Sequence, residues 1–211
     1  MIFFADIEDT VFKVAEALRV PVLILALLCL ALVAVELGRF LIELVRRRHR
    51  SFPTLQAATD EAVAALRGQR NYGLAAALLA PISSGAPMTA ALDRLVTQWE
   101  VPDREEQMAK TLADFDFGSM RRLERTRALV RVGPALGLMG TLIPLSPALA
   151  GLADGDVEQL SSNLRVAFSI TVLGLMIGAV AFVISLVRDR LYGQDLSDLE
   201  FVAGKMLGAK R

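Results

Sequence analysis

The sequence predicts an all-α membrane protein with three transmembrane helices, the amino terminus outside the cytoplasm and the carboxyl terminus inside it. Two runs of 22 residues, 132–153 and 166–187, contain no charged side chain. At about 1.5 Å per residue, each run reaches roughly 33 Å as a helix, enough to span the ~30 Å hydrocarbon core of a bilayer. The composition agrees, because 54% of the 211 residues are hydrophobic, whereas roughly 45–50% is usual in soluble domains.

The first span, 20–45, is weaker than the other two. Its uncharged part, 20–35, has only 16 residues, and Glu36, Arg39 and Glu43 follow it. We expect the helix to extend by about a turn beyond the uncharged part, because roughly 20 residues are needed to cross a bilayer. Glu36 and Arg39 lie three residues apart on one helical face, so they can pair there. An ion-handling role of Glu36 is the alternative.

Residues 1–19 precede this span and predict an amphipathic helix outside the cytoplasm. The first ten residues hold three acids and no base, the reverse of the basic start of a signal peptide. Apolar residues recur at intervals of three or four, as in a helix that lies on a membrane surface. They are Phe4, Ile7, Val11, Val14 and Leu18.

Basic residues indicate on which side of the membrane each connecting segment lies. Segment 46–131 has fourteen basic and ten acidic residues, whereas 154–165 has one basic and three acidic residues. Since basic residues near span ends stay in the cytoplasm, we expect 46–131 and the tail 188–211 inside. Segments 1–19 and 154–165 are then outside. The 23 basic residues equal the 23 acidic ones, so no basic excess favours nucleic-acid binding.

The large segment 46–131 predicts helices and no catalytic chemistry. Apolar residues have helical spacing over 54–67 and 86–99, and a further helix starts near Asp103 and continues into the membrane as the second span. The segment has no phosphate-binding glycine motif and no nucleophile–base pair, so we predict no enzyme. The chain has one cysteine and one histidine, so we expect no disulfide, no metal site and no cofactor.

Small residues form a stripe along each of the last two spans. Gly133, Gly137 and Gly140 mark the stripe in the second span, and Gly174 and Gly178 mark it in the third. Such stripes let helix backbones approach closely in lipid, where the hydrophobic effect does not drive helix association. We therefore predict that the two helices pack along these glycines.

Three hydroxyl residues and two prolines lie in the same two spans. Thr141, Thr171 and Ser169 are candidates for a polar track, in which the two threonines are offset by roughly 10 Å along antiparallel helices. The alternative is that each hydroxyl only bonds to a carbonyl of its own helix. Pro144 and Pro147 each remove a backbone donor and predict a kink in the outer half of the second span.

The residues around these features resemble the ExbB/TolQ/MotA proton-channel family. Residues 132–141, VGPALGLMGT, are similar to the family's second core helix, and residues 167–175, AFSITVLGL, are similar to its third. The single span before a large cytoplasmic insert is closer to the three-span ExbB/TolQ branch. The chain departs from many members in the residues that follow Thr141, and in having Val180 where they have a proline.

The resemblance implies a subunit of an ion-driven membrane motor. Family members form pentameric rings around single-span partners of the ExbD/TolR/MotB kind, and the partner supplies an intramembrane aspartate. Carried over by position, Thr141 and Thr171 would face the pore, with Ser169 a lesser candidate. The resemblance also implies an inner-membrane location and energy transduction for tasks such as protein transport. The expected ion is the proton, with sodium as the alternative.

Two other functions fit the same residues. The first is a non-conducting membrane scaffold, in which the small-residue stripes serve packing alone. The second is a small channel or transporter that needs no partner. The absence of a carboxylate from the last two spans disfavours the second alternative, because such a chain has no obvious proton-carrying group.

Overall fold

The computed structural model describes residues 2–47 and 51–209, and every regular element within them is helical. Arg48 and Arg50, counted among the basic residues after the first span, lie outside the described residues, as does the side chain of Phe4. The seven α-helices are α1 (Ile2–Ala17), α2 (Arg19–Arg46), α3 (Phe52–Gln69), α4 (Tyr72–Leu79), α5 (Ala86–Thr97), α6 (Arg104–Ala153) and α7 (Val157–Gly208). Short 3-10 turns at Ala80–Ile82 and Gln98–Glu100 follow α4 and α5.

Three helical stretches are long and apolar enough to cross a membrane, namely Thr10–Val45, Arg104–Ala153 and Val157–Gly208. The predicted spans 20–45, 132–153 and 166–187 each fall within one of these stretches. The predicted class, an all-α protein with three membrane-spanning helices, is therefore confirmed.

Leu18 alone separates α1 from α2. Its amide donates to the carbonyl of Val14 at 3.2 Å, and the amide of Val22 donates to the carbonyl of Leu18 at 3.0 Å. Pro21 has no amide hydrogen to donate to Ala17, and its ring crowds that carbonyl, which explains why the helix is interrupted here. The helix predicted for 1–19 thus joins the first span without a loop.

A tight turn joins α6 to α7, with only Asp154, Gly155 and Asp156 between them. Gly155 has a φ of +79°, and the amide of Asp156 donates to the carbonyl of Gly151 at 2.7 Å. This is a Schellman cap, which ends α6 at a residue that needs the left-handed conformation. The side chain of Asp156 then accepts the amide of Gln159 at 2.9 Å and caps the start of α7.

The ends of the long helices do not coincide with the ends of the predicted spans. Helix α6 begins at Arg104, one residue after the predicted start at Asp103. Helix α7 begins at Val157, so most of the segment 154–165, expected as a loop, is helical. The difference arises because a charged residue marks the edge of an apolar stretch, whereas caps such as Asp156 decide where a helix starts.

Contacts between residues divide the chain into two units. Unit 1 comprises Met1–Arg39 and Arg125–Ser185, and unit 2 comprises Phe40–Glu124 and Leu186–Arg211. In unit 1, α2 packs against α6 and α7 around a small apolar core. In unit 2, α3, α4 and α5 pack with segments of α6 and α7 around a larger one. The largest fully buried side chains in the core of unit 2 include Leu66, Leu79, Leu92, Leu95, Met108, Leu199 and Met206.

Local caps explain the first helices of unit 2. Ser51 accepts the amide of Thr54 at 3.4 Å and starts α3. Asn71 accepts the amide of Leu74 at 2.9 Å and starts α4. Helix α4 was not predicted, because its eight residues are almost all apolar and show no helical period.

A cluster of buried charges lies in unit 2. Both terminal guanidinium nitrogens of Arg47, Nη1 and Nη2, donate to Asp195, at 2.9 and 2.8 Å, and the two side chains are only 9% and 3% exposed. Ser84 also donates to Asp195, at 2.8 Å. Glu43 accepts from Arg47 at 3.0 Å and from Arg188 at 3.2 Å. Each charge in this group therefore has an opposite charge as its partner, as burial requires.

Candidate ion pathway

Glycines bring α6 and α7 into backbone contact within unit 1. A Cβ atom added at Gly133 would lie 2.8 Å from the carbonyl oxygen of Gly174 and 2.9 Å from the nitrogen of Gly178. One added at Gly174 would lie 2.5 Å from the carbonyl oxygen of Gly133. Backbone atoms cannot yield to a Cβ at such distances, so a larger residue at either glycine forces the helices apart.

The contact continues along the pair at Gly137 and Gly140. A Cβ added at Gly137 would lie 3.4 Å from the Cα of Thr171, and one added at Gly140 would overlap with the side chain of Ile170. Ile170 is 4% exposed and fills the space that Gly140 leaves. All five glycines of the predicted stripes therefore lie where α6 and α7 meet.

Helix α2 packs on one side of this helix pair. Its buried side chains lie on one helical face, at Val22, Ala26, Cys29 and Val33. Val22, Cys29 and Val33 share a core with Leu129 and Leu136 of α6 and Ile177 and Ala181 of α7.

A hydrogen bond that the sequence did not predict connects the start of α2 to α7. Arg19 donates to the amide oxygen of Asn163 in α7 at 2.9 Å, and Asn163 is only 5% exposed. The two residues are 144 positions apart, so no local pattern could have paired them.

Thr141 lies on the side of α6 that faces away from α2. An α-helix turns by about 100° per residue, so Thr141 lies roughly 100° from Gly140 in one direction. Leu136, which contacts the α2 core, lies roughly 40° from Gly140 in the other direction. Thr141 is half-buried at the edge of the contact between α6 and α7.

Thr171 lies on the same side of the helix pair as Thr141. It is roughly 100° around α7 from Ile170, whereas Ile177 of the α2 core is roughly 20° in the other direction. Because α6 and α7 are antiparallel, both rotations turn toward the same side of the pair. Ser169 lies roughly 100° from Ile170 in the direction opposite to Thr171 and is exposed. The structure thus brings the two threonines to one face and leaves Ser169 on another.

The hydroxyls of these three residues are bonded in the same way. Each donates to a carbonyl of its own helix about one turn earlier, Thr141 to Leu138 at 2.8 Å, Thr171 to Ala167 at 3.0 Å and Ser169 to Arg165 at 2.9 Å. Such a bond uses the single proton of the hydroxyl and leaves the oxygen's lone pairs as acceptors. The oxygens of Thr141 and Thr171 can therefore accept a proton donor or contribute to a cation's oxygen ligands.

The threonines are closer along the helix axis than the sequence-based estimate of roughly 10 Å. Thr171 lies beside Gly137, and Thr141 is four residues further along α6, which is an offset of at most about 6 Å. The sequence-based estimate assumed that the cytoplasmic ends of the two uncharged runs lie at the same depth in the membrane. The contacts of Gly133 with Gly174 and Gly178 set the actual register.

The rest of the face that carries the two threonines is apolar and exposed. Its side chains are between 39% and 65% exposed and include Leu138, Leu145, Phe168, Leu175 and Phe182. No charged residue occurs in 132–153 or 166–187. The face therefore offers two hydroxyls in an apolar surface and no group that carries a proton at neutral pH.

Helix α6 continues through its internal prolines, Pro134, Pro144 and Pro147. Pro144 is buried and Pro147 is half-buried. Pro134 contributes to the contact with α7, since a Cβ added at Gly178 would lie 2.8 Å from its Cγ. A kink at Pro144 and Pro147 stays a prediction, based on the backbone donors that the two prolines lack.

Glu36 lies on the buried side of α2, three residues after Val33. Its side chain is 14% exposed, and its Oε1 is 3.5 Å from Nη1 of Arg39, whose side chain is 63% exposed. This is the pairing expected from their spacing. The face of α2 that carries Glu36 is not the face of the helix pair that carries Thr141 and Thr171.

Comparison with known proteins identifies the family. The family described as the MotA/TolQ/ExbB proton channel family matches residues 85–200, more than half of the chain and both helices of the candidate pathway. No curated protein matches the chain. Within the described residues, no three His, Cys, Asp or Glu side chains are grouped as a metal site requires. This multi-pass membrane protein belongs to the MotA/TolQ/ExbB proton channel family, a class of channels rather than enzymes.

Proposed function

We propose that this chain is the ring-forming subunit of an ion-driven membrane motor that transmits energy across the cell envelope. The observation that carries the proposal is that Thr141 and Thr171 share the face of the α6–α7 pair opposite to α2. In a ring of such chains, this face turns inward and α2 turns outward. The outer side of α2 suits lipid, because Leu27, Leu28 and Leu32 are between 55% and 60% exposed there.

A second chain supplies the acidic group in this proposal. Neither 132–153 nor 166–187 has a carboxylate, and the inward face has only hydroxyl oxygens as polar groups. A single-span partner of the ExbD/TolR/MotB kind, with an intramembrane aspartate, completes the pathway along the ring axis. The threonine oxygens then accept hydrogen bonds from the protonated aspartate or from water that carries the ion.

The ring has five chains in the proposal, as the family resemblance implies, and it belongs to the three-span branch. The transported ion is the proton, with sodium as the alternative, because hydroxyl oxygens can serve either. No cofactor takes part. The basic excess of 46–131 supports an inner-membrane protein with this segment in the cytoplasm.

The mass and composition of the native complex test this proposal. The complex is purified from its own membranes through a tag on this chain, whose mass is 22.8 kDa. We expect an integral number of copies, five in the proposed ring, together with a lighter single-span chain. A monomer contradicts the ring, and an oligomer without a second membrane chain contradicts the partner.

One observation favours a second function, the non-conducting scaffold. The hydroxyl protons of Thr141, Thr171 and Ser169 are all satisfied within their own helices, as a purely structural role would allow. An oligomer that lacks a partner and conducts no ions would favour the scaffold.

A further inference from the structure

Phe117 and Met120 form an exposed apolar patch on α6 in unit 2. Their exposed fractions are 64% and 50%. They are three residues apart, so their side chains are neighbours on the helix surface. Exposed Ala113 lies one turn before Phe117, and exposed Glu124 one turn after Met120. A large aromatic side chain and a methionine together on a surface are typical of a protein contact.

The other side of the same stretch of α6 borders a groove that it forms with α5. Small or apolar residues make up five of its lining positions, Pro87, Ala90, Ala91, Phe115 and Gly118. The other four are the polar residues Arg94, Thr111, Asp114 and Arg122. The groove is open to solvent and has a volume of about 170 Å³. A protein cavity of about 150 Å³ can hold a benzene molecule, so the groove has room for a phenyl side chain.

Phe117 does not fill the groove of its own chain, because its side chain is 64% exposed. At about 100° per residue, Phe117 and Met120 lie roughly 100° and 160° around α6 from Gly118, which lines the groove. Phe117 is roughly 60° from Asp114, at the edge of the groove. Both features nevertheless lie at the same level of the helix. A patch and a complementary groove that face different directions at one level suit a head-to-tail contact, in which each copy uses both surfaces.

The charges near the two surfaces also complement each other. Glu124 lies one turn beyond the patch, and the exposed Arg94 lines the groove on its α5 side. Asp114 lines the groove too, but its carboxylate is paired with Lys110. Arg94 can therefore meet a carboxylate of the neighbouring copy at the edge of the contact.

We propose that Phe117 of one copy inserts into the α5–α6 groove of the next copy, with Met120 packed at its edge. This interface deepens the proposed function and rests on it, since it requires an assembly of several copies. Repeated around an axis, the contact closes into a ring and occupies both surfaces of every copy.

Paired cysteines in the full-length chain test the contact in native membranes. In a Cys29→Ala background, Phe117→Cys combined with Ala90→Cys is expected to give disulfide-linked dimers, trimers and larger species on mild oxidation. Leu74→Cys, another exposed apolar position of unit 2, combined with Ala90→Cys is the control and is expected to give none.

The possible results of this experiment distinguish the proposed contact from the proposed ring. A ladder from Phe117→Cys with Ala90→Cys alone supports the contact. A dimer from Phe117→Cys by itself means a two-fold contact between patches and overturns the inference. Monomers only, in a complex whose mass shows several copies, also overturn the inference and leave the proposed ring intact. A complex of one copy by mass overturns both.

An arginine at the patch tests the same contact without cross-linking. Phe117→Arg is expected to weaken association of copies on dilution in detergent by at least about tenfold, as for a central aromatic residue of an interface. Leu74→Arg, the matched control, is expected to leave association unchanged. Equal association of the two variants overturns the inference.

Discussion

At the scale of single residues, the candidate pathway depends on where two threonines lie and not on any unusual bonding. Thr141, Thr171 and Ser169 all donate to carbonyls of their own helices. What distinguishes the threonines is their common face, away from α2. The sequence could identify all three hydroxyls, but it could not separate Ser169, because that requires knowing which face of α7 meets α2.

The glycines where α6 and α7 meet give the first prediction. Gly174→Ala places a Cβ against the backbone of Gly133 and is expected to destabilise the protein by about 1–3 kcal/mol, the usual cost of overpacking. Gly193→Ala, in the same helix, meets nothing within 4 Å and is expected to stabilise it by about 0.5–1 kcal/mol. Thermal unfolding in detergent compares the two. Equal stabilities would show that the close approach of α6 and α7 does not exist.

At the scale of elements, the sequence predicted what local patterns determine. The three apolar stretches, the start of α6 near Asp103 and the glycine stripes all follow from spacing along one helix. The depth of Thr141 relative to Thr171 does not, because it depends on how Gly133 and Gly137 fit against the other helix. The eight residues of α4 show no helical period, so the pattern of apolar residues does not predict this helix.

Long-range ion pairs were beyond prediction for a related reason. Arg47 and Asp195 are 148 residues apart and carry no mutual pattern. Near them, Tyr192 lies under the guanidinium groups of Arg122 and Arg47, at 5.1 and 5.9 Å from its ring centre. Burial, followed by the charge of Glu43, raises the pKa of Tyr192 above its usual value of 10.0, although the arginines oppose this shift. The phenol of Tyr192 therefore stays protonated and neutral below pH 10.0.

The buried pair gives the second prediction. Asp195→Asn leaves Arg47 as a buried charge with weaker partners and is expected to lower the free energy of unfolding by about 3–5 kcal/mol. Asp60→Asn breaks the exposed pair with Lys205 and is expected to cost about 0–1 kcal/mol. Denaturant unfolding in micelles measures both. A cost for Asp195→Asn no larger than that of the control would argue against a stabilising buried cluster.

At the scale of the whole molecule, the distribution of charge determines the proposed orientation. The equal totals of basic and acidic residues conceal fourteen basic residues in 46–131 and three acidic residues in 154–165. This asymmetry supports the amino terminus outside and the carboxyl terminus inside.

Cysteine labelling of intact cells tests this orientation and is the third prediction. In a Cys29→Ala background, an impermeant maleimide added outside is expected to label Asp154→Cys and to leave Leu74→Cys unlabelled until the cells are opened. Both positions are exposed, so access to the side chain does not differ. Labelling of Leu74→Cys alone in intact cells would contradict the proposed topology and indicate the opposite orientation.

Proton flux through the reconstituted complex tests the central claim, that ions pass along the face that carries Thr141 and Thr171. The complex purified with its partner is placed in liposomes, and a pH-sensitive dye follows flux under an imposed gradient. Removing a hydroxyl acceptor costs about 1 kcal/mol, so Thr141→Val with Thr171→Val is expected to lower flux by at least about tenfold. Ser169→Ala, on the other flank of α7, is expected to conduct as the wild type does. Wild-type flux in the double valine variant, or a loss of flux in Ser169→Ala alone, would contradict the claim.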